Sequence, residues 1–329
     1  MSRHLAGSVA FAALTLAAPQ VRAQDLTAQL RSALESAARS GDQGGVFQAL
    51  SVFGATPGIS TALYDADSDT PGARQKLRTA KLPLSHDFSP LAFGVRPYAE
   101  LTLGYAHVDD RRDFDTGVGT TRIDANFNDY SALAGLGATI PVLPDLLPEV
   151  RLRPILLAGY SRLEGDANVE GPFAAEIDEA ARGLITDMHI DTLLLGGAIE
   201  AAATFRPTAT IEIGAEVRYD HFYADNVAAS DGALESSNDF GVLTSRLQVD
   251  GPLPLTLFGQ GTRWIGFTGY TWLPDSKDAL DFDQFFEVGA GLAVMNADVV
   301  RGVSGLSLRG SLILGQDVSG WSLGLSLEF

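Results

Sequence analysis

Trp321-Ser-Leu-Gly-Leu-Ser-Leu-Glu-Phe329 alternates large apolar with small or polar residues without a break. Successive side chains of an extended strand point to opposite faces. Trp321, Leu323, Leu325, Leu327 and Phe329 therefore share one face, and Ser322, Gly324, Ser326 and Glu328 share the other. A wholly apolar face backed by a small polar one calls for lipid on one side and water on the other. A strand of a transmembrane barrel meets that demand.

The amino-terminus fits export. Arg3 and His4 make a basic start, Leu5 to Ala18 is apolar, and Val21-Arg22-Ala23 is a small-x-small cleavage site. Residues 1–23 thus read as a signal peptide, whose apolar part is shorter than the ~20 residues a spanning helix needs. Although 46% of the chain is hydrophobic, the best later run, Leu193 to Ala203, is broken by Gly196, Gly197 and Glu200. Without helical spans, a closed barrel is the structure that satisfies every backbone group in lipid. Cysteine is absent, which rules out thiol chemistry and leaves the fold to its hydrogen-bond ladder. A net charge of −18 argues against nucleic acid as a partner, since phosphates would be repelled.

The rest of the mature chain divides into residues 24–57, an amino-terminal segment, and 58–329, the barrel. Within the first, Leu26, Leu30, Ala33, Leu34 and Ala37 recur at helical spacing behind Asp25 as N-cap, with Gly41 as a stop. Period-two alternation then predicts strands near 59–66, 75–86, 96–108, 120–141, 149–163, 187–205, 208–222, 236–249, 256–272, 284–296, 304–316 and 320–329. The fold class is all-β, an antiparallel up-and-down barrel of twelve strands. In the second strand Lys76, Arg78 and Lys81 cannot all face inward, so one sits near a rim. Connections alternate between short, often proline-bearing turns and longer acidic loops such as 108–120, 164–186 and 223–236. Short periplasmic turns and long outer loops are the asymmetry of outer-membrane barrels.

With an exported amino-terminus, a helix at 25–40, twelve strands and the aromatic end at Phe329, the chain resembles the outer-membrane autotransporter type of β-barrel. More narrowly it resembles the solitary form that carries no passenger. The resemblance implies a lumen occupied by the amino-terminal helix, made of Leu26, Leu30, Arg31, Leu34, Glu35 and Arg39. It also implies that the strand carrying Trp321 to Phe329 is read by the barrel-assembly machinery, with periplasmic chaperones on the way. The stretch between cleavage site and first strand is too short for a passenger, so self-secretion is not carried over.

Twelve strands leave a lumen between the side-chain-filled eight-stranded barrel and the aqueous porin channel. A helix ~10–12 Å across is of the size to plug it. Gln29, Arg31, Glu35 and Arg39 on its polar face would then meet the inward charges Glu100, Arg153, Glu200, Glu212, Glu216, Arg218, Glu287 and Arg309. The other reading makes 24–45 a disordered periplasmic leader. Asp187-Met-His189-Ile-Asp191, Asp220-His221 and His107 with Asp109 lie near outer rims. The first, with two carboxylates and an imidazole on one face, could hold a metal or an acid–base pair, but a solvated lumen face needs such residues anyway. Asp220 and His221 are adjacent and face opposite ways, so a dyad there would need partners elsewhere, and His107 with Asp109 is similar. No His-x-Ser of the barrel-phospholipase kind occurs. Asp65-Ala-Asp67-Ser-Asp69 starts like a calcium loop, but Thr70 replaces the required glycine and Lys76 the closing glutamate.

No cofactor, metal site or catalytic residue is assigned. The expected role is a structural, surface-exposed envelope protein of the outer membrane with lipid and lipopolysaccharide as partners. The alternatives are a narrow channel or, behind it, a barrel-embedded hydrolase.

Overall fold

The structure is a computed structural model describing residues 23–40, 56, 58–67, 74–116, 118–142, 149–257, 259–274, 276–280, 282–295 and 305–328. The expected signal peptide, save Ala23, lies outside these residues, as does the centre of the calcium-like loop. Twelve alternating segments form twelve strands. They are β1 (Ile59–Asp67), β2 (Arg74–Asp87), β3 (Arg96–Asp115), β4 (Thr120–Pro141), β5 (Val150–Glu170) and β6 (Met188–Phe205). β7 (Glu212–Ala229), β8 (Ser237–Leu257), β9 (Gln260–Trp272), β10 (Gln284–Met295), β11 (Gly305–Leu314) and β12 (Val318–Glu328) complete the set. Each pairs antiparallel with its sequence neighbours, and β12 closes on β1 from Ile59↔Leu325 to Ala66↔Val318. Closure leaves no strand edge to be satisfied in lipid.

Several strands run further than the sequence reading allowed. β3 continues to Asp115, β5 to Glu170 and β7 to Ala229, through stretches expected to be acidic loops. With 22 residues in β4 and 21 in β5, these strands are about twice the ~9–11 residues that cross a bilayer. The excess projects at one end of the barrel, here called the loop end. The opposite end, joined by the connections after β2, β4, β6, β8 and β10, is the turn end.

The alternation inverts along the long strands. Outward residues of β5 run Pro154, Leu156, Ala158, Tyr160 and then Arg162, Glu164, Asp166, Asn168, Glu170, all exposed. Inward, Arg153 near the turn end is followed by buried Ile155 and Leu157, then Gly159 and Ser161, and from Leu163 the face continues with Gly165, Ala167 and Val169. β4 does the same: Leu136, Ala134 and Tyr130 face out below Asn126 and Arg122, while Phe127, Ala125 and Ile123 face in above Asp129. The turn-end half thus has the apolar exterior of a membrane protein, and the loop-end half has the apolar interior of a soluble one.

Aromatic side chains mark the transition, including the pairs Tyr105–Tyr130 (5.3 Å) and Tyr270–Phe286 (4.8 Å), with Tyr160 and Trp321. Such girdles sit at membrane–water interfaces. The charges of β2 fit the same frame: Lys76 and Arg78 are exposed toward the loop end, Arg78 lies 3.8 Å from Asp109, and Lys81 lines the lumen. None of the three faces the middle of the bilayer.

Two helices join the loop-end core. Leu26, Leu30 and Leu34 of α1 (Ala23–Ser40) are buried there with Ile177, Ala180 and Ala181 of α2 (Ala174–Ala181). Around them lie Val108, Phe127, Ile190, Phe222, Val242 and Phe285 from the strands. Phe222 stacks on Phe240 at 5.2 Å, and Tyr64 meets Phe285 edge-on at 5.5 Å. A further short helix, α3 (Lys277–Leu280), buries Leu280 between β9 and β10.

Candidate functional site

The lumen has two levels, and the amino-terminal segment touches both. At the loop end α1 packs against α2 and a 3-10 turn, Gly232–Leu234. Burial of three leucines at i, i+4, i+8 fixes which face of α1 is down, and Ala28, Gln29, Ser32, Ala33 and Ser36 on the other face stay exposed.

Arg31 is the polar anchor. Its Nε bonds Glu35 Oε1 at 3.0 Å, one turn on, and one Nη donates to Ala180 O at 3.1 Å and to Arg182 O. The other Nη bonds the Asp231 carboxylate, whose second oxygen accepts from Ala233 N and caps the 3-10 turn. A guanidinium thus satisfies the carbonyls at the carboxy-terminal end of α2, where the helix dipole favours a cation. Lower down, buried Thr56 donates to Glu287 Oε1 (2.9 Å), and its hydroxyl meets Ser322 Oγ. The chain then turns at Gly58, whose positive φ of 80° places it against Leu325 and Ser326, and enters β1.

The pairing expected between the polar face of α1 and the lumen charges does not form among the described residues. Arg31 and Glu35 engage α2 and the 3-10 turn, Gln29 is exposed, and the Arg39 side chain lies outside the described residues. The lumen charges pair with one another instead. Arg218 donates to both oxygens of Glu100 (2.8 and 2.7 Å) and to Asp220, and Glu100 also accepts from Tyr98 Oη at 2.8 Å. Arg153 donates twice to Glu200 (2.9 and 3.1 Å), to Asp87 at 3.2 Å and to Thr139 at 3.0 Å, and it stacks 3.8 Å above the Tyr98 ring. Glu216 accepts from Arg246 at 3.1 Å. Glu287 and Arg309 are buried. Glu212 is a different case: it lies at the turn-end rim, bonded to exposed Arg206 at 2.9 Å.

Of these, Tyr98, Glu100, Arg153, Glu200, Glu216, Arg218 and Arg246 line a cavity of about 590 Å³ in the turn-end half, together with Lys81 and Arg151. The sequence reading leaves out Asp87, Tyr98, Arg151 and Arg246, leaves open which way Lys81 faces, and takes Asp220 together with His221. Spacing of two carried the missing signal, since Arg218 and Asp220 share one face of β7 while His221 takes the other.

The rim histidines are all on the outside of the wall. His107 bonds Asn128 Oδ1 at 2.9 Å and Asp109 at 3.2 Å, and His221 stacks on Tyr219 at 6.4 Å. Asp191 accepts from Tyr160 Oη at 2.6 Å on the same outer face as His189, while Asp187 precedes β6 with a φ of 54°. They belong to the exterior and not to a lumen face. No group of three metal-ligating side chains occurs among the described residues. The carboxy-terminal strand turns Trp321, Leu323 and Leu325 outward and buries Ser322 in the lumen; the side chain of Leu327 and all of Phe329 lie outside the described residues.

No protein-family model and no curated protein matches the sequence. In overall barrel form the structure is similar to the β domain of the Bordetella autotransporter BrkA (16% identity, 82% of this chain and 96% of that one, TM-score 0.43). It is similar also to the translocator domain of the autotransporter NalP from Neisseria meningitidis (14% identity, 82% and 87% covered, TM-score 0.45). The Ralstonia pickettii toluene transporter TbuX is a third (8% identity, 82% and 86% covered, TM-score 0.40). Each likeness is one of shape at low identity, and none assigns a task to this chain.

Proposed function

We propose that the protein is an integral outer-membrane barrel whose loop end is closed by α1, serving as a surface-exposed envelope component and not as an open pore. The observation that carries this is the burial of Leu26, Leu30 and Leu34 in an apolar core that fills the loop-end lumen, with Arg31 fastening the helix to two connections at once. The apolar exterior supports the bilayer, and the projecting, acidic loop end suits the outer surface. Assembly through the strand ending at Phe329 is part of the proposal. Among the described residues His107, His189 and His221 stand apart from one another on the exterior.

A gated channel is the second reading, favoured by the open polar cavity behind the closed end. Planar bilayers separate the two. The intact protein should show no conductance steps, and Leu30→Asp with Leu34→Asp, which places charge in the apolar seal, should create them. Steps of equal size in intact and altered protein would contradict the closed reading.

A further inference from the structure

We propose that the turn-end half of the lumen is a binding site for a small oxyanionic solute, carboxylate or phosphate, held by Arg151 and Arg246. Its volume of about 590 Å³ falls within the ~300–1,000 Å³ of small-molecule sites. Five cationic side chains and three carboxylates line it in a chain whose net charge is −18. The acids are already engaged: Glu100 accepts from Arg218 and Tyr98, Glu200 from Arg153, and Glu216 from Arg246.

The surplus is one of donors. The Arg151 side chain makes no hydrogen bond or ion pair among the described residues, and its Nε is buried without a partner. Its charge reaches Glu200, whose oxygens Arg153 already holds. Arg246 places one bond on Glu216 and has donors to spare. Both arginines line a side recess of about 100 Å³, together with Glu216 and Gln248. A guanidinium offers five donors in a planar fork suited to two oxygens of one anion. A buried donor without an acceptor costs free energy, which a bound oxyanion relieves. Access from the turn end follows from the closed loop end, and the inference rests on that reading for direction alone.

The test is calorimetric titration of the full-length protein, folded in detergent, with sodium phosphate, with disodium succinate and with glucose as a neutral probe. One anion should bind saturably at one site, which identifies phosphate or carboxylate as the chemistry, while glucose should not bind. Arg151→Gln and Arg246→Gln should each weaken binding about tenfold or more, the loss of a charge-assisted bond. Arg162→Gln on the outer wall should leave binding unchanged. Heat-modifiable migration on gels checks that each variant is folded. Absence of saturable binding by both anions, equal binding of glucose, or unaltered affinity in folded Arg151→Gln would overturn the proposal. Conductance plays no part in this test, so it can fail without the closed reading failing.

Discussion

Arginine in place of Leu156 should lower the unfolding free energy of the lipid-embedded barrel by ~2–4 kcal/mol, the cost of a cation on the lipid face at mid-membrane. Arginine in place of Asn168 should change it by no more than ~0.5 kcal/mol, as surface substitutions do. The two positions occupy the same outward face of β5 and both are exposed, Leu156 at 77%. What separates them is the girdle at Tyr160, below which the wall is apolar and above which it is charged. Urea unfolding in lipid vesicles, followed by tryptophan fluorescence, reads the difference. Equal costs at the two positions would mean that the wall does not change solvent at Tyr160.

Replacing Arg153 by methionine should cost ~3–5 kcal/mol, because it strands a buried carboxylate without its partner. Arg153 is 7% exposed and Glu200 4%; one Nη of the guanidinium donates to both Glu200 oxygens, and Asp87 and Thr139 take its other nitrogens. The double variant Arg153→Met with Glu200→Gln should be less destabilised than Arg153→Met alone, since the uncompensated charge is then gone. Arg206→Met at the exposed rim should cost no more than ~1 kcal/mol, although it breaks two ion pairs, because exposed pairs are screened. The same unfolding assay orders the three. If Arg153→Met behaves like Arg206→Met, the lumen network is solvated and not buried.

The number of strands and their membrane halves were legible in the sequence because lipid imposes a large apolar face at period two. Trp321, Leu323 and Leu325, or Val288 and Leu292, leave little choice of face. The outer halves were not legible, because beyond the girdle the rule reverses. Asp109, Arg111 and Asp113 of β3, and Glu164, Asp166 and Glu170 of β5, are outward wall residues in water. A reading that expects apolar residues on the outside takes such stretches for loops. α2 was missed for a related reason: Ile177, Ala180 and Ala181 recur at helical spacing, but within a short acidic segment that resembles a connection.

The ion-pair partners across the lumen lay further still from view. Glu100 and Arg218 are 118 residues apart, and Arg31 and Asp231 are 200 apart. Strand parity tells which charges face in, but ring closure decides which ones meet. Helix α1 shows both sides of this. Its leucine stripe announced a buried face, while its partners, α2 and the 3-10 turn, come from connections whose structure no local pattern revealed.

The proposed arrangement puts only the turn-end half of the barrel in lipid, the loop-end half being a water-exposed wall around an apolar core sealed by α1. The chain has no cysteine, so single cysteines at outward β5 positions 154, 156, 158 and 160, and at 162, 164, 166, 168 and 170, can each carry a fluorophore. Quenching by a brominated lipid should be strong at the first four and lost from 162 onward. Quenching that persists to 170, or is absent at 154–160, would contradict the account.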